Sequence, residues 1–134
     1  MRTASADVLR YLGALATIVV GAVHLQQYAD FIADVPTIGV LFLLNALGAG
    51  VLAVMLVTRR AIVAAVGAIG LSAAALVSLT ISMSEGGLFD YIEPAFRQAV
   101  VVSVAAEVAA IVLLGAYLVV RRAPRRARVD GTAA

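Results

Sequence analysis

The chain has 134 residues, 63% of them hydrophobic, and a mean hydropathy of +1.06, whereas soluble domains average about 45–50% apolar residues. This composition excludes a small soluble fold, and the length limits the chain to one domain. The chain has no cysteine, which excludes a disulfide framework, thiol redox chemistry and thiolate metal sites. All ten basic residues are arginine, and this bias, together with the Ala/Val/Gly-rich composition, indicates a GC-rich bacterial genome.

Four long apolar segments lie between the charged residues, near 8–28, 37–58, 61–83 and 96–120. Each is close to the roughly 20 apolar residues that a membrane-spanning helix requires. The sequence therefore predicts an all-α, integral membrane, antiparallel four-helix bundle within residues 1–122, followed by an arginine-rich cytoplasmic tail at 123–134. A cleaved signal peptide is the alternative for the first segment, but its apolar core is long and HLQQYAD is a poor cleavage site.

The charged residues predict the orientation of these segments. Arg97 is the only one of the ten arginines on one predicted side, and that side carries Asp30, Asp34, Glu85, Asp90 and Glu93. The positive-inside rule then places both termini in the cytoplasm of a bacterial inner membrane. At the C-terminal end, the arginines are primarily a topology signal and secondarily candidate contacts for anionic lipid headgroups: Arg121, Arg122, Arg125 and Arg126.

The loops contain residues that typically begin and end helices. Asp34 and Pro36 favour a second helix that begins near Val35 or Pro36. Gly86 and Gly87 are suited to end the third helix. Pro94 suits the first turn of the fourth helix, with Glu93 at its positive end. Between them, the stretch LFDYIE is expected at the outer membrane interface, with Phe89 and Tyr91 at that interface or over the mouth of the bundle.

The fourth segment contains a carboxylate in the apolar stretch VSVAAEVAAIVLL. Because a charge at the bilayer centre costs about 2.5–3.5 kcal/mol, Glu107 is expected to face the other helices. At a rise of 1.5 Å per residue, Glu107, Asn45, Ser72 and Thr17 each lie roughly 14–16 Å from the outer end of their segment. His24 lies at roughly 6 Å. The sequence therefore predicts a shared polar site near the midplane, with His24 about two turns nearer the outside.

Helical spacing supports this site. Gly13, Thr17, Gly21, His24 and Tyr28 form one stripe on the first segment, and Ser103 and Glu107 share a stripe on the fourth. The candidate ligand-binding or proton-exchanging residues are Glu107, Asn45, His24, Ser72, Ser103, Tyr28 and Thr17. Interhelical hydrogen bonds are the structural alternative for Asn45, Ser72, Ser103 and Thr17, and His24 suits a hydrogen bond near the interface. A protonated Glu107 bonded to Asn45 or Ser72 would also be structural.

Two segments resemble a family of small uncharacterised four-helix membrane proteins of actinobacteria: GAVHLQQYADFIADVPTIGVLFLLNALGAGVLAVML and GLFDYIEPAFRQAVVVSVAAEVAAIVLL. The resemblance covers nearly all of the membrane part, and the layout is loosely similar to the DoxX-like four-helix group. It implies the fold and directs attention to His24, Asn45 and Glu107. It implies no catalytic activity.

Three functions fit these residues. The first is a non-enzymatic subunit or accessory factor of a larger membrane assembly. The second is a proton-coupled small-molecule carrier that uses Glu107. The third is a quinone-binding redox protein in which His24 and Glu107 contact a quinone carbonyl. No Gly-rich phosphate loop and no HExxH motif occurs, so no catalytic residues are assigned and an enzyme is not the expectation.

Cofactors and partners follow from the same residues. A single histidine cannot supply two histidine ligands to haem within one chain. His24, Glu107 and Asn45 are also a poor set of ligands for a transition metal. We therefore expect no cofactor, no metal and no nucleic acid. The expected partners are the lipid bilayer and either a larger membrane protein or a second copy of the chain.

Overall fold

The computed structural model describes residues 2–58, 60–94 and 97–122, with side chains from residue 4 onward. Within these ranges it contains four α-helices, and a π-helical turn, Tyr28–Ile32, extends the first of them. The helices are α1 (Arg2–Gln27), α2 (Ile38–Leu56), α3 (Ala61–Ser82) and α4 (Gln98–Arg122). All four are long and apolar enough to cross a membrane. The predicted tail at 123–134, with Arg125 and Arg126, lies outside the described residues.

The four helices form an antiparallel bundle. Each packs against the next along the chain, and α4 closes the ring by packing against α1. Leu114 of α4 lies beside Gly13 near the start of α1, whereas Glu107, nearer the start of α4, lies beside His24 at the end of α1. The α1–α2 and α3–α4 connections therefore share one end of the bundle, here called the cavity end. The chain termini and the α2–α3 turn share the other, here called the terminal end.

The half of the bundle toward the terminal end contains a closely packed cluster. Ala64, Ala65 and Ala68 of α3 are buried there together with Leu56 and Leu114. Small side chains let helix backbones approach closely, so the helices are in close contact at this cluster. The cavity end lacks an equivalent run of buried alanines on α3, and the helices there enclose polar side chains instead.

The outward faces of the bundle are apolar. Large hydrophobic side chains are exposed on every helix, among them Leu15 and Ile18 on α1, Leu44 and Val51 on α2, Val63 and Val77 on α3, and Val112 and Val119 on α4. A soluble bundle places polar residues on its outer faces. Apolar surface this extensive needs a hydrophobic partner, either lipid or another protein.

Two helix starts differ from the sequence-based expectation. Helix α2 begins at Ile38, after Pro36, because the π-helical turn brings the chain close to the first turn of α2. A Cβ on Gly39 would lie only 2.7 Å from the Ile32 carbonyl oxygen. Helix α4 begins at Gln98, so Pro94 is not in its first turn. The Glu93 amide donates to the Ser82 carbonyl at 3.0 Å, which holds the chain against the end of α3.

The α3–α4 connection contains a tight turn that covers the cavity end. Helix α3 ends at Ser82, and Gly87 (φ +60°) serves the following turn instead of ending the helix. Leu88 and Tyr91 then exchange backbone hydrogen bonds at 2.8 and 3.0 Å. Phe89 and Asp90 between them both have positive φ (+50° and +63°), as a type I′ hairpin turn requires.

Candidate functional site

A cavity of about 260 Å³ lies between the helices at the cavity end. All four helices and the α3–α4 connection contribute to its wall. The polar residues that line it are His24, Gln27, Asn45, Ser78, Ser82, Tyr91, Glu93, Ser103 and Glu107. The remaining wall is aliphatic or aromatic, with Leu41, Phe42 and Leu71 among its members.

Glu107 is buried in the wall of this cavity, with 2% of its surface exposed. Its Oε1 accepts a hydrogen bond from Ser103 Oγ at 3.0 Å. The Nε2 atom of His24 lies 3.8 Å from the same oxygen, which is too long for a hydrogen bond. The carboxyl group therefore has one neutral donor, and a histidine nitrogen stands just outside bonding distance.

His24 has a defined orientation. Its Nδ1 atom lies 2.9 Å from the Val20 carbonyl oxygen. A carbonyl can only accept, so Nδ1 carries a hydrogen, and when the ring is neutral its Nε2 is an acceptor on the other edge. The ring also packs against Phe42, with centroids 5.0 Å apart.

The sequence predicts His24 about two turns nearer the outside than Glu107. This prediction is wrong for the ends of the two side chains, which lie 3.8 Å apart. A helical side chain leans toward the N-terminus of its own helix. His24 leans toward Val20, away from the cavity end, whereas Glu107 leans toward Ser103, toward it. Because α1 and α4 are antiparallel, the two side chains converge and close a gap that counting along the axis placed at about two turns.

Asn45 is buried, and its Oδ1 has no hydrogen-bond partner within the described part of the chain. The expected bond from Glu107 to Asn45 or to the Ser72 hydroxyl is not formed, because Ser103 of the same helix already reaches the carboxyl group. An i,i+4 pair on one helix needs no adjustment between helices to meet. The Asn45 carbonyl oxygen therefore lies in the cavity wall as an unused acceptor.

The other three predicted site residues lie outside the lining of the cavity. Thr17 is buried, but its Oγ1 donates to the Gly13 carbonyl at 2.8 Å. This bond lies within α1, as is common for threonine in helices, and it replaces the expected interhelical bond. Ser72 is buried deeper in the bundle, and Tyr28 is half-buried in the π-helical turn. The cavity thus brings together His24, Asn45, Ser103 and Glu107.

Glu93 belongs to a group of side chains at the mouth that the sequence did not reveal. It is buried and accepts three hydrogen bonds from Arg97, at 2.9 to 3.1 Å. It also accepts one from the Tyr91 hydroxyl at 2.9 Å. The Arg97 guanidinium lies 4.3 Å above the centre of the Phe31 ring. These four residues, here called the mouth network, join the π-helical turn to the start of α4.

Tyr91 titrates unusually within this network. Burial, followed by its hydrogen bond to Glu93 and the Glu93 charge, raises the pKa of Tyr91 to about 12, against the lowering effect of Arg97. The phenol is therefore neutral at physiological pH and holds its donor on Glu93. Phe89, which the sequence predicts at the interface or over the mouth, is 61% exposed and does not line the cavity.

The charged side chains divide between the two ends of the bundle. Around the cavity mouth, Asp30, Asp34, Glu85 and Asp90 are exposed, while the Glu93 charge is matched by Arg97. At the terminal end, a second pocket of about 410 Å³ is lined by Arg10, Arg60 and Arg121, together with Asp7, Thr58 and Tyr117. The Arg10 Nε atom is buried there without a partner among the described residues.

Metal ligands do not cluster in the described ranges. No group of three or more His, Asp or Glu side chains there is arranged to hold a metal ion. The cavity offers one imidazole and one carboxyl group in contact range. These two groups are capable of hydrogen bonding and of exchanging protons.

Comparison with known proteins gives no relative: no family model, curated protein or solved structure matches the chain. The resemblance to the actinobacterial four-helix family stays a prediction from the sequence.

Proposed function

We propose that the chain is a multi-pass protein of a bacterial inner membrane with both termini in the cytoplasm. Support comes from four helices of sufficient length and apolarity and from large hydrophobic residues exposed on every helix. The charge division supports the orientation, because short arginine-bearing segments remain cytoplasmic. In this orientation the cavity opens toward the outside.

Within that frame, we propose that the protein is a non-enzymatic, proton-coupled carrier that binds a small molecule in the cavity. The observation that carries this proposal is the buried Glu107 in the cavity wall, 3.8 Å from His24 Nε2. A buried carboxylate is costly unless it is neutralised or paired. Glu107 can be satisfied either by a proton or by a bound ligand. If the ligand takes the place of the proton, ligand binding is coupled to proton release.

The residues around Glu107 favour proton exchange by this carboxyl group. From α1 it meets His24, from α2 the cavity wall supplies Asn45, and from α3 the wall supplies Ser78 and Ser82. Only the first of these is titratable. The α3–α4 connection adds Tyr91 and Glu93, and Arg97 pairs with that glutamate. A proton leaving Glu107 can pass to His24 Nε2, a titratable acceptor 3.8 Å from Glu107 Oε1.

Difference infrared spectroscopy of the protein in nanodiscs tests the proton exchange without a known substrate. We expect a protonated-carboxyl C=O stretching band that shifts in D₂O, titrates with pH and is absent in Glu107→Gln. The control is Glu93→Gln, which should retain the band because the Arg97-paired carboxylate does not contribute to it. A band that neither exchanges nor titrates would make Glu107 structural and refute the carrier.

A subunit of a larger membrane assembly, or a homodimer, is the second candidate. Gly50 on α2 and Gly70 on α3 are exposed, and a Cβ added at either would meet nothing within 4 Å. Such open backbone is suited to close packing of another helix. Co-purification from the native membrane tests this role. A stoichiometric partner retained by the native chain and lost from Gly50→Leu and Gly70→Leu would support it, with Gly115→Leu on α4 as control.

A quinone-binding redox role has weaker support. Quinone carbonyls need hydrogen-bond donors, whereas His24 Nε2 and Asn45 Oδ1 are acceptors.

Anionic lipid is proposed as a further partner at the terminal end. Arg10, Arg60 and Arg121 come from three different elements and line one pocket, and juxtamembrane arginines attract anionic headgroups. Native mass spectrometry in nanodiscs that contain phosphatidylglycerol should show retained lipid. Arg10→Gln together with Arg121→Gln should reduce its retention, and unchanged retention would contradict this site.

A further inference from the structure

Three polar groups in the cavity wall can accept hydrogen bonds from a ligand. Asn45 Oδ1 is an acceptor with no partner among the described residues, His24 Nε2 is an acceptor in the neutral ring, and Glu107 carries two carboxyl oxygens. A buried polar group left unsatisfied costs about 1–3 kcal/mol. These acceptors come from three helices, so a ligand that satisfies them together must carry several N–H or O–H groups on one atom or on adjacent atoms.

The size of the cavity limits the remainder of the ligand. An apolar cavity of about 150 Å³ accommodates benzene, so the observed 260 Å³ accommodates one ring and a short chain. Leu41, Phe42 and Leu71 supply apolar wall. The ligand is thus a small amphiphile whose polar head is at Glu107 and whose apolar body is among these side chains.

Charge at the mouth indicates the sign of the polar head. Asp30, Asp34, Glu85 and Asp90 are exposed at the cavity end, and the one arginine described there is engaged by Glu93. The summed charge of a protein surface raises the local concentration of ions of the opposite sign. This negative surface attracts cations and repels anions before they reach the cavity.

On the basis of the proposed carrier function, we propose that the ligand is a small organic cation: a primary ammonium or amidinium on an apolar body of about one aromatic ring. Its N–H groups donate to Glu107 and to Asn45 Oδ1. As the cation binds, the O–H bond of protonated Glu107 breaks and the proton leaves by way of His24 Nε2 to water. One positive charge enters for each proton released, so the buried site stays neutral.

The absence of cysteine from the chain allows a direct test of charge selectivity. Ser78→Cys places a unique thiol in the cavity wall, and Ser72→Cys makes the same substitution on the same helix at a buried position outside the lining. Each variant, in nanodiscs, is treated with methanethiosulfonates that carry an ethylammonium, an ethylsulfonate or a neutral methyl group. Each rate is divided by the rate of that reagent with a free thiol.

We expect the thiol at position 78 to react about tenfold faster with the ammonium reagent than with the sulfonate, because an ammonium can replace the proton of Glu107 and pair with the carboxylate, whereas that carboxylate and the acidic surface at the cavity end repel a sulfonate. Adding Glu107→Gln should reduce the ratio at least threefold. Phenylethylammonium should protect this thiol, whereas phenylethanol, its neutral counterpart of similar size, should not. The thiol at position 72 should react slowly with all three reagents.

Different results of this experiment would contradict different parts of the proposal. Equal normalised rates for the three reagents at position 78, or equal protection by phenylethanol, overturn the cationic ligand class. The carrier proposal is then decided by the infrared titration of Glu107, which does not depend on the charge of the ligand. If position 78 reacts no faster than position 72 with any reagent, the cavity is closed to small molecules and the cation proposal fails with it. Equal circular dichroism spectra of the two cysteine variants establish that both retain the fold.

Discussion

The contact between α1 and α4 gives the sharpest stability prediction. A Cβ added to Gly13 would overlap the end of the Leu114 side chain and lie 2.7 Å from its Cγ. Leu114 is fully buried, so it cannot move aside without displacing its neighbours. Overpacking of this kind costs about 1–3 kcal/mol, whereas alanine gains roughly 0.5–1 kcal/mol over glycine within a helix. We therefore expect Gly13→Ala to destabilise the bundle by about 1–2 kcal/mol.

The matched control is Gly115→Ala on α4, where an added Cβ meets nothing within 4 Å. This variant should be neutral or up to about 1 kcal/mol more stable, because only the helix-propensity gain applies. Reversible unfolding in mixed micelles with increasing dodecyl sulfate, followed by circular dichroism, measures both variants.

A second variant separates overpacking from other effects of Gly13→Ala. Leu114→Ala alone should cost about 2–5 kcal/mol. In the double variant the methyl group added at position 13 enters the space left by the leucine, so the combined loss should be smaller than the sum by at least about 1 kcal/mol. Strict additivity, or a Gly13→Ala shift equal to that of Gly115→Ala, would show that α1 and α4 are not in close contact here.

Three further predictions address the two ends of the bundle. An impermeant thiol reagent should label Asp90→Cys on intact cells but should label Thr58→Cys only after permeabilisation, and the reverse pattern would refute the proposed orientation. Glu93→Gln should lower the Tyr91 pKa from about 12 toward the ordinary value of 10.0, as measured by tyrosinate absorbance against a Tyr91→Phe reference. Because the folded pKa of Tyr91 is raised, the neutral phenol stabilises the fold below about pH 10, and this contribution is lost as the pH rises toward 12. Burial, the largest cause of the raised pKa, remains in Glu93→Gln, so an unchanged titration would contradict only the contribution assigned to Glu93. Thr37→Gly should raise stability by about 1 kcal/mol, because threonine there has φ +64°, a conformation that is strained for a β-branched residue. Unfolding in mixed micelles checks it, and a loss of stability would show that the threonine side chain contributes more than its backbone strain costs.

The helical architecture was predictable because its cause is local and strong. Uninterrupted apolar segments of about 20 residues need no knowledge of tertiary contacts to be recognised. The helix boundaries were less predictable, because contacts between elements determine them. The close approach of Gly39 to Ile32 and the bond from Glu93 to Ser82 join residues whose proximity depends on the folded bundle, and these contacts moved both helix starts.

The mouth network shows the same limit for the site. Pro94 made Glu93 look like an acidic residue at a helix N-terminus, which is a local interpretation. In the structure its carboxylate binds Arg97 and Tyr91, and Phe31 from the π-helical turn stacks on that arginine. The i,i+4 spacing of Glu93 and Arg97 was visible in the sequence as a possible pair, but no local pattern placed Phe31 beside it.

The cavity lies against the second half of α3, whose packing differs from that of the first half. Ala64, Ala65 and Ala68 are buried in the first half of the helix and allow close packing there, whereas Leu71, Ser78 and Leu79 in the second half line the cavity. Ala74 and Ala75 also line the cavity, so the two halves of α3 differ in which alanines are buried and not in whether alanine is present. Axial depth alone could not identify which polar residues meet in the cavity: Asn45 and Glu107 are at similar depth but are not bonded, while His24 reaches Glu107 because the two side chains lean toward each other. In an antiparallel helix pair, a shared site is therefore predicted better by side-chain direction combined with depth than by depth alone.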